Sequence, residues 1–468
     1  MNRQRSEAVE AALAQRLAEA APHLSSDIIG NAHDPVNAQG IERGAAALLD
    51  IVARVICTQP TPDRLWLALT AVAGCLPCAD DIHEAHYRAE TSNPVQMAIW
   101  MLDYALEHGS PETDTFTLRV LRDAVLVDPG VSGAEQALKP LDALVGSIIS
   151  RWATCRDVLC VSWTSGHECW TVAAPDVAEI VVPWHTTVLA LGRLALGACE
   201  RIAGAAEFSG SQFAALVDDC FPAASAGLRA DSTVRSIATY LGVLRRFGRL
   251  VALSEASASD FRGFTSALPA QGIDGPHVAF CAPPTAALAV PPDSLEAPGV
   301  VERPLCATPP TVLCVGNLDD QSDQSVLISA CERLRRDGLQ FELTLACSEV
   351  PNVDSLFDSA RFAVFPSIHE GNTLAISQCL AMRLPVVCSK FLTSLPVGGI
   401  AAVDTSDELS LADVMRSLLV DDAAISNLRA QIDGRREISY DDFADDLWGH
   451  LVRGPGLSEG QDRPARAT

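Results

Sequence analysis

Short apolar runs rich in Val, Leu and Ala alternate with helical segments in two separate blocks of this chain, and eight prolines between residues 283 and 310 stand between the blocks. This alternation limits the possible folds more than any other feature. Strand, helix and strand in succession build a parallel sheet covered by helices on both faces, and its strands are continuously apolar because neither face meets water. In the first block the candidate strands are AVLVD (124–128), DVLCVSW (157–163), IVVP (180–183), FAALVD (213–218), RLVALS (249–254) and HVAFCAP (277–283). In the second they are TVLCVG (311–316), FELTLA (341–346), FAVFPS (362–367) and PVVCS (385–389). Helices are expected over QSVLISACERLRRDG, from Thr373 onward, and over LADVMRSLLV. Ahead of both blocks, RGAAALLDIVARVI, DRLWLALTAVAGCL and PVQMAIWMLDYALEHG space their apolar residues at three and four, and the last stops at Glu107, His108 and Gly109.

The expected organisation is a helical module over 1–115, an α/β domain over 120–285, a Pro-rich linker over 286–310, a second α/β domain over 311–452 and a polar tail over 453–468, expected to be disordered. The fold class is therefore α/β, with two Rossmann-like domains facing a cleft. Ligands of open parallel sheets bind at the C-terminal strand ends, which makes that cleft the expected site.

With 468 residues, 48% hydrophobic and 20% charged, the chain can bury two or more cores. Its 59 acidic against 34 basic residues give a formal charge of −25. Nonspecific binding to nucleic acid or to an anionic membrane relies on basic patches, so both are set aside. No uninterrupted apolar stretch is long enough to span a bilayer, and the N-terminal residues lack the apolar core of a secretory signal. Fifteen cysteines, an odd number without a repeat, read as reduced thiols, and a cytoplasmic location is expected.

One stretch carries chemistry. In FPSIHEGNTLAISQCLAMRLPVV (365–387), Glu370 and Gly371 stand where a buried strand gives way to a helix. The first N–H groups of a helix lack partners and its dipole is positive there, so the place can receive an anion. Read alone, Glu370 also suits the dipole with no ligand, Asn372 suits a helix cap, and Gln378 suits a solvent-facing position. Four other groups read mainly as structure. Cys75 and Cys78 form a lone CxxC, a weak zinc or redox signal, and His83 and His86 lack the HExxH spacing. Arg245 and Arg246 suit a solvated helix end, and Trp184 and His185 suit packing, with His185 near a strand end.

The run ARFAVFPSIHEGNTLAISQCLAMRLPVVCS resembles the FPS, EGFG, second glutamate and PVV series of retaining glycosyltransferases of the group-1 kind, family 4, which have the GT-B fold. TVLCVGNLDDQSDQSVL is similar to that family's strand and phosphate loop. EIVVPWHTTVL, FSGSQFAALVDDCFP and YLGVLRRFGRLVALSEASASDFRGF resemble the acceptor half of a bacterial subgroup, and DRLWLALTAVAGCLPCADDI its helical leader. The resemblance runs discontinuously over residues 60–450. It implies transfer of a sugar from a nucleotide-sugar donor with retention and without a metal, to a glycan, lipid or protein acceptor. It implies catalytic roles for Glu370 and Asp219, and donor contacts from Gly316, Asn317, Ser322, Gly371, Asn372, Thr373 and Gln378.

The chain departs from the family where the chemistry lies. Asn317 and Ser322 occupy the positions of the family's arginine and lysine, with Asp319, Asp320 and Asp323 nearby. Each lost charge-assisted contact to a diphosphate is worth roughly 1.5–3 kcal/mol. Gln378 replaces the second glutamate, Asn372 and Thr373 replace an aromatic and a glycine, and Asp218-Asp219 replaces a His-Asp pair. The span between the strands ending at Ala346 and beginning at Phe362 is too short for the family's extra helix and strand. The alternative expectation is a degenerate glycosyltransferase-fold protein that binds a partner protein or a glycan without turnover.

Overall fold

The computed structural model describes residues 3–25, 44–130, 139–164, 168–172, 178–217, 231–285, 309–315, 321–346, 356–357, 359–366, 374–390, 398–435 and 437–453. The described residues begin with the helices α1 (Arg3–Ser25), α2 (Ala45–Thr58), α3 (Pro62–Ala73), α4 (Ala79–Thr91) and α5 (Pro94–His108). Helix α2 buries Ala45, Leu48, Leu49, Val52, Ala53 and Ile56, the stripe its three-and-four spacing requires. Helix α3 starts on Pro62, whose missing N–H costs nothing at a first turn, and ends at Gly74 in the left-handed region. Helix α5 is capped by Asn93, whose side chain accepts from Val95 N and Gln96 N.

The strands and helices that follow are β1 (Thr117–Leu121), β2 (Val125–Asp128), α6 (Lys139–Cys155), β3 (Val158–Thr164), β4 (Cys169–Val172), β5 (Glu179–Pro183), β6 (Thr187–Ala190), α7 (Cys199–Phe208), β7 (Gln212–Val217), α8 (Asp231–Leu244), β8 (Arg249–Ala252), α9 (Glu255–Ser266) and β9 (His277–Phe280). Their nine strands lie in the order β1-β5-β4-β3-β2-β6-β7-β8-β9, parallel except for β4, which runs against β3 and β5. Strands β1 and β2 and strands β5 and β6 are two halves of one long parallel pair, for the same offset of 62 residues relates Thr117 to Glu179 and Val125 to Thr187. Both strands break together at residues of that same offset, Asp123 and His185, each with positive φ.

Helix α1 closes the open edge of β1. The Gln15 amide donates to Leu118 O and accepts from Leu118 N, at 3.1 and 2.8 Å, and Glu19 Oε1 accepts from Val120 N. Four residues on a helix thus match two on a strand, and the edge gains partners for its free N–H groups. Between these two residues Arg16 is buried, donating to the carbonyls of Ala71, Val72, Thr113, Asp114 and Phe116. Helices α1–α5 and the nine-stranded sheet share one hydrophobic core.

The second block contains β10 (Thr311–Val315), α10 (Gln321–Arg336), β11 (Glu342–Ala346), β12 (Ala360–Phe365), α11 (Leu374–Ala381), β13 (Val386–Ser389), β14 (Ile400–Val403), α12 (Glu408–Val420) and α13 (Asp422–Asp433). Its five strands are all parallel, in the order β11-β10-β12-β13-β14. Both blocks are thus Rossmann-like sheets, as the alternation of apolar runs requires. The last helix, α14 (Tyr440–Trp448), and the π-helical turn Gly449–Arg453 return to the first sheet. Trp152 Nε1 donates to Ala444 O at 3.0 Å, its ring meets Trp448 edge-on at 5.1 Å, and Arg249 donates to Leu451 O. Much of the linker expected over 286–310, and the tail beyond Arg453, lie outside the described residues.

Candidate functional site

In each sheet the chain leaves a central strand to one side and later returns to the other. From β10 it goes to β11 and then to β12 on the opposite flank, so the strand order reverses between β10 and β12. In the first sheet β2 leads to β3 on one side, and β6 is laid down on the other. Such reversals splay the two connections apart and open a crevice at the C-terminal strand ends.

The C-terminal end of the β2–β6 pair, at the first reversal, consists of described residues, and there the two connections stay together before they part. Leu191 N donates to Asp128 O, extending the β2–β6 ladder one residue further. Just beyond, the two backbones touch. A Cβ on Gly130 would lie 2.6 Å from the carbonyl carbon of Gly192, and one on Gly192 would lie 2.0 Å from Pro129 O. Gly130 also has φ of +82°, so glycine is required there for its space and for its backbone angle. Asp128 is buried, and each carboxyl oxygen accepts one hydrogen bond, from Trp170 Nε1 and from Gly130 N, both at 2.8 Å. Burial pushes this carboxyl above the ordinary carboxylate range, against the opposing pull of those two donors. Arg193, the next residue after Gly192, is exposed on the same edge. Sequence reasoning had read Asp128 only as a strand end. The signal present was Asp-Pro-Gly directly after an apolar run, but its partner Trp170 is 42 residues away.

The strands on either side of the second reversal are described, while most of the candidate donor contacts lie outside the described residues. Cys314 and Val364 are register partners on β10 and β12. Gly316 and Asn317 follow β10 in the chain, and Glu370, Gly371, Asn372 and Thr373 lie between β12 and α11. All six are outside the described residues, as is Asp219, two residues past β7. Ser322 is the second residue of α10. Gln378 lies in α11, half-buried, and its carbonyl accepts from Met382 N. The structure thus gives the chain segments carrying these residues neighbouring starting points, about 50 residues apart in sequence.

A cation missed by sequence reasoning stands on this edge. Lys390 follows β13, the neighbour of β12, and its ammonium lies 2.7 Å from Asp404 Oδ2, just after β14. Lys390, helped by Ser406, holds the Asp404 carboxyl down to about 2. Leu374, the first residue of α11, joins the hydrophobic cluster that α6 and α14 form with strands β2, β6, β7 and β8, which brings the start of α11 against the first half.

The remaining candidates settle into structural roles. His185 precedes β6, at the end remote from Asp128, with its ring against Gly210 and Nε2 3.3 Å from Asp63 Oδ2. Trp184 is buried. The Cys75 thiol is buried and pushed up to about 11, far from a reactive thiolate, while Cys78 caps α4. His83 packs edge-on to Phe208, and Arg246 pairs with Glu207. Among the described residues, no group of three or more His, Cys, Asp or Glu is arranged to hold a metal ion, and no helix is long and apolar enough to cross a membrane.

No family model matches this chain, and no curated protein matches it. Solved structures do. Sucrose-phosphate synthase from Thermosynechococcus elongatus is 15% identical, with 71% of this chain and 98% of that chain covered and a TM-score of 0.43. WaaG, a glycosyltransferase involved in lipopolysaccharide biosynthesis, is 14% identical over 70% and 99% of the two chains, with a TM-score of 0.43. Anabaena HepE in complex with UDP-glucose is 13% identical over 69% and 99%, with a TM-score of 0.42. At TM-scores this low the likeness carries no argument, and the fold stands on the strand order itself.

Proposed function

We propose that the chain transfers a sugar from a nucleotide-sugar donor, held by the second sheet, to an acceptor met at the crevice of the first. One observation carries this reading. The two stretches that resemble a donor site, separated in sequence, begin on the adjacent strands β10 and β12, between which the strand order reverses. In this reading the diphosphate lies over the N–H groups that follow β10 and precede α11. Glu370 holds a sugar hydroxyl, and Gln378 a ribose hydroxyl. Asp219, which follows β7 in the chain, is assigned the second catalytic role. Such transfer, with retention and without a metal, needs no protein nucleophile. Its rate rests on positioning and on stabilising the departing phosphate.

With Asn317 and Ser322 neutral, the cation assigned to that phosphate in this reading is Lys390, at the C-terminal end of β13, the strand paired with β12. Its pairing with Asp404 favours a second reading, a nucleotide-free scaffold that binds a partner protein or glycan, because the ammonium is already matched by a carboxylate. Calorimetry with UDP, GDP, ADP and their sugar conjugates separates the two. Binding tighter than about 100 μM, lost in Glu370→Ala and weakened in Lys390→Ala, is the expected outcome. The absence of heat with every nucleotide, from protein shown to be folded, overturns transfer and leaves the scaffold.

A further inference from the structure

Helix α5 buries one face and leaves another bare. Met97, Met101 and Tyr104 pack into the core, while Val95, Ile99, Leu102 and Leu106 are 63%, 55%, 40% and 85% exposed. Isolated exposed apolar side chains need no explanation, but four in line on one helix do. Their spacing is four, three and four, the seam repeat by which one helix packs against another. At 15 residues the helix offers a seam of about 22 Å.

The charge beside the seam selects the partner. Asp103 and Glu107 are exposed on α5, and the helix carries no Lys or Arg. A second copy of this chain would bring the same acids to the seam. An anionic membrane is disfavoured by the same acids. A basic amphipathic helix meets both features, apolar residues against the seam and Lys or Arg against Asp103 and Glu107. We propose that the exposed face of α5 docks an amphipathic helix of another protein, with its apolar residues at seam spacing and basic residues at the flanks. The surface is separate from both crevices, so the proposal stands whether or not the chain transfers sugar.

The test uses the full chain and two labelled synthetic helices of three heptads, both with Leu at the seam positions, one with Lys and the other with Glu at the flanks. Binding is read by fluorescence anisotropy at physiological salt. The Lys helix is expected to bind at least about tenfold more tightly than the Glu helix. Ile99→Glu and Leu106→Glu are each expected to weaken it by at least about tenfold, although each adds a negative charge that would strengthen mere electrostatic attraction. Both positions are solvent-exposed, and circular dichroism verifies that the variants fold. Unchanged binding of the Lys helix to these variants, or equal binding of the two helices, overturns the proposal. So does sedimentation showing a dimer of the chain alone that Ile99→Glu dissolves, which would assign the seam to a second copy.

Discussion

Replacing Asp128 tests whether the crevice of the first sheet is held by a buried carboxyl with both oxygens in use. Trp170 Nε1 and Gly130 N donate to separate oxygens of a side chain only 2% exposed. Asp128→Ala leaves both donors without partners. At about 1–3 kcal/mol for each buried group so stranded, the cost is roughly 2–6 kcal/mol. Asp128→Asn keeps one acceptor and turns an NH₂ toward the other donor, which costs roughly 1–3 kcal/mol.

The pH dependence has a definite sign. Burial raises the folded-state pKa of Asp128 above its unfolded value of 3.8. Folding therefore favours the protonated form, and this contribution is fully present below that unfolded value and lost as pH rises through the folded pKa. The Asn variant cannot titrate. Its deficit relative to the parent should be largest near pH 4 and shrink as pH rises. Urea unfolding of the parent, Asp128→Asn and Asp128→Ala across this range reads the differences directly. A deficit that grows with pH, or an Ala variant no worse than Asn, would refute the assignment.

Trp448→Ala should destabilise the attachment of α14 by about 3–5 kcal/mol for the cavity, with a further ~0.5–1.5 kcal/mol from the lost edge-on contact with Trp152; faster limited proteolysis of the segment after Arg435 is the readout, and an unchanged rate counts against the clasp. Gly130→Ala should lower the thermal midpoint beyond the about 0.5 kcal/mol scatter of surface substitutions, because its Cβ meets the Gly192 backbone and φ is +82°.

What was legible in the sequence follows from what each element depends on. The buried strands β2, β7, β8, β10 and β12 announce themselves because a mostly apolar run needs no partner to be recognised, and β3 does so by its apolar start, Val158 to Val161. Strand β6 did not, since Trp184, His185 and Thr186 interrupt it at the bend it shares with the Asp123 break. Strand β1 has Arg119 at its exposed middle position, and β4 and β14 bury only two and one of their four residues, against three of four in β2 and β8. The site divides along the same line. The run from Phe365 to Val387 offers a motif to sequence reasoning because its residues are contiguous, though Glu370 to Thr373 lie outside the described residues. Asp128 is distinguished by an indole from β4, and Lys390 by a carboxylate after β14, and neither contact has a local signature.

The docking of α14 bears on how the two sheets are joined. The chain leaves the first half at Thr285 and comes back through Ile438, and these two residues are tied. Thr285 N donates to Ile438 O at 3.0 Å, Ile438 N donates to Thr285 Oγ1 at 2.8 Å, and Arg435 donates to Thr285 O at 2.8 Å. Both passages between the halves thus run through a single hydrogen-bonded point. Beyond it α14 packs on α6, so it moves with the first half although it follows the second in sequence. Leu374 enters that same cluster at the start of α11, immediately after the stretch that resembles a donor motif. A cluster built of closely packed side chains switches between discrete arrangements rather than stretching. A separation of the two halves would have to take Leu374 out of this cluster, at the residue that begins α11.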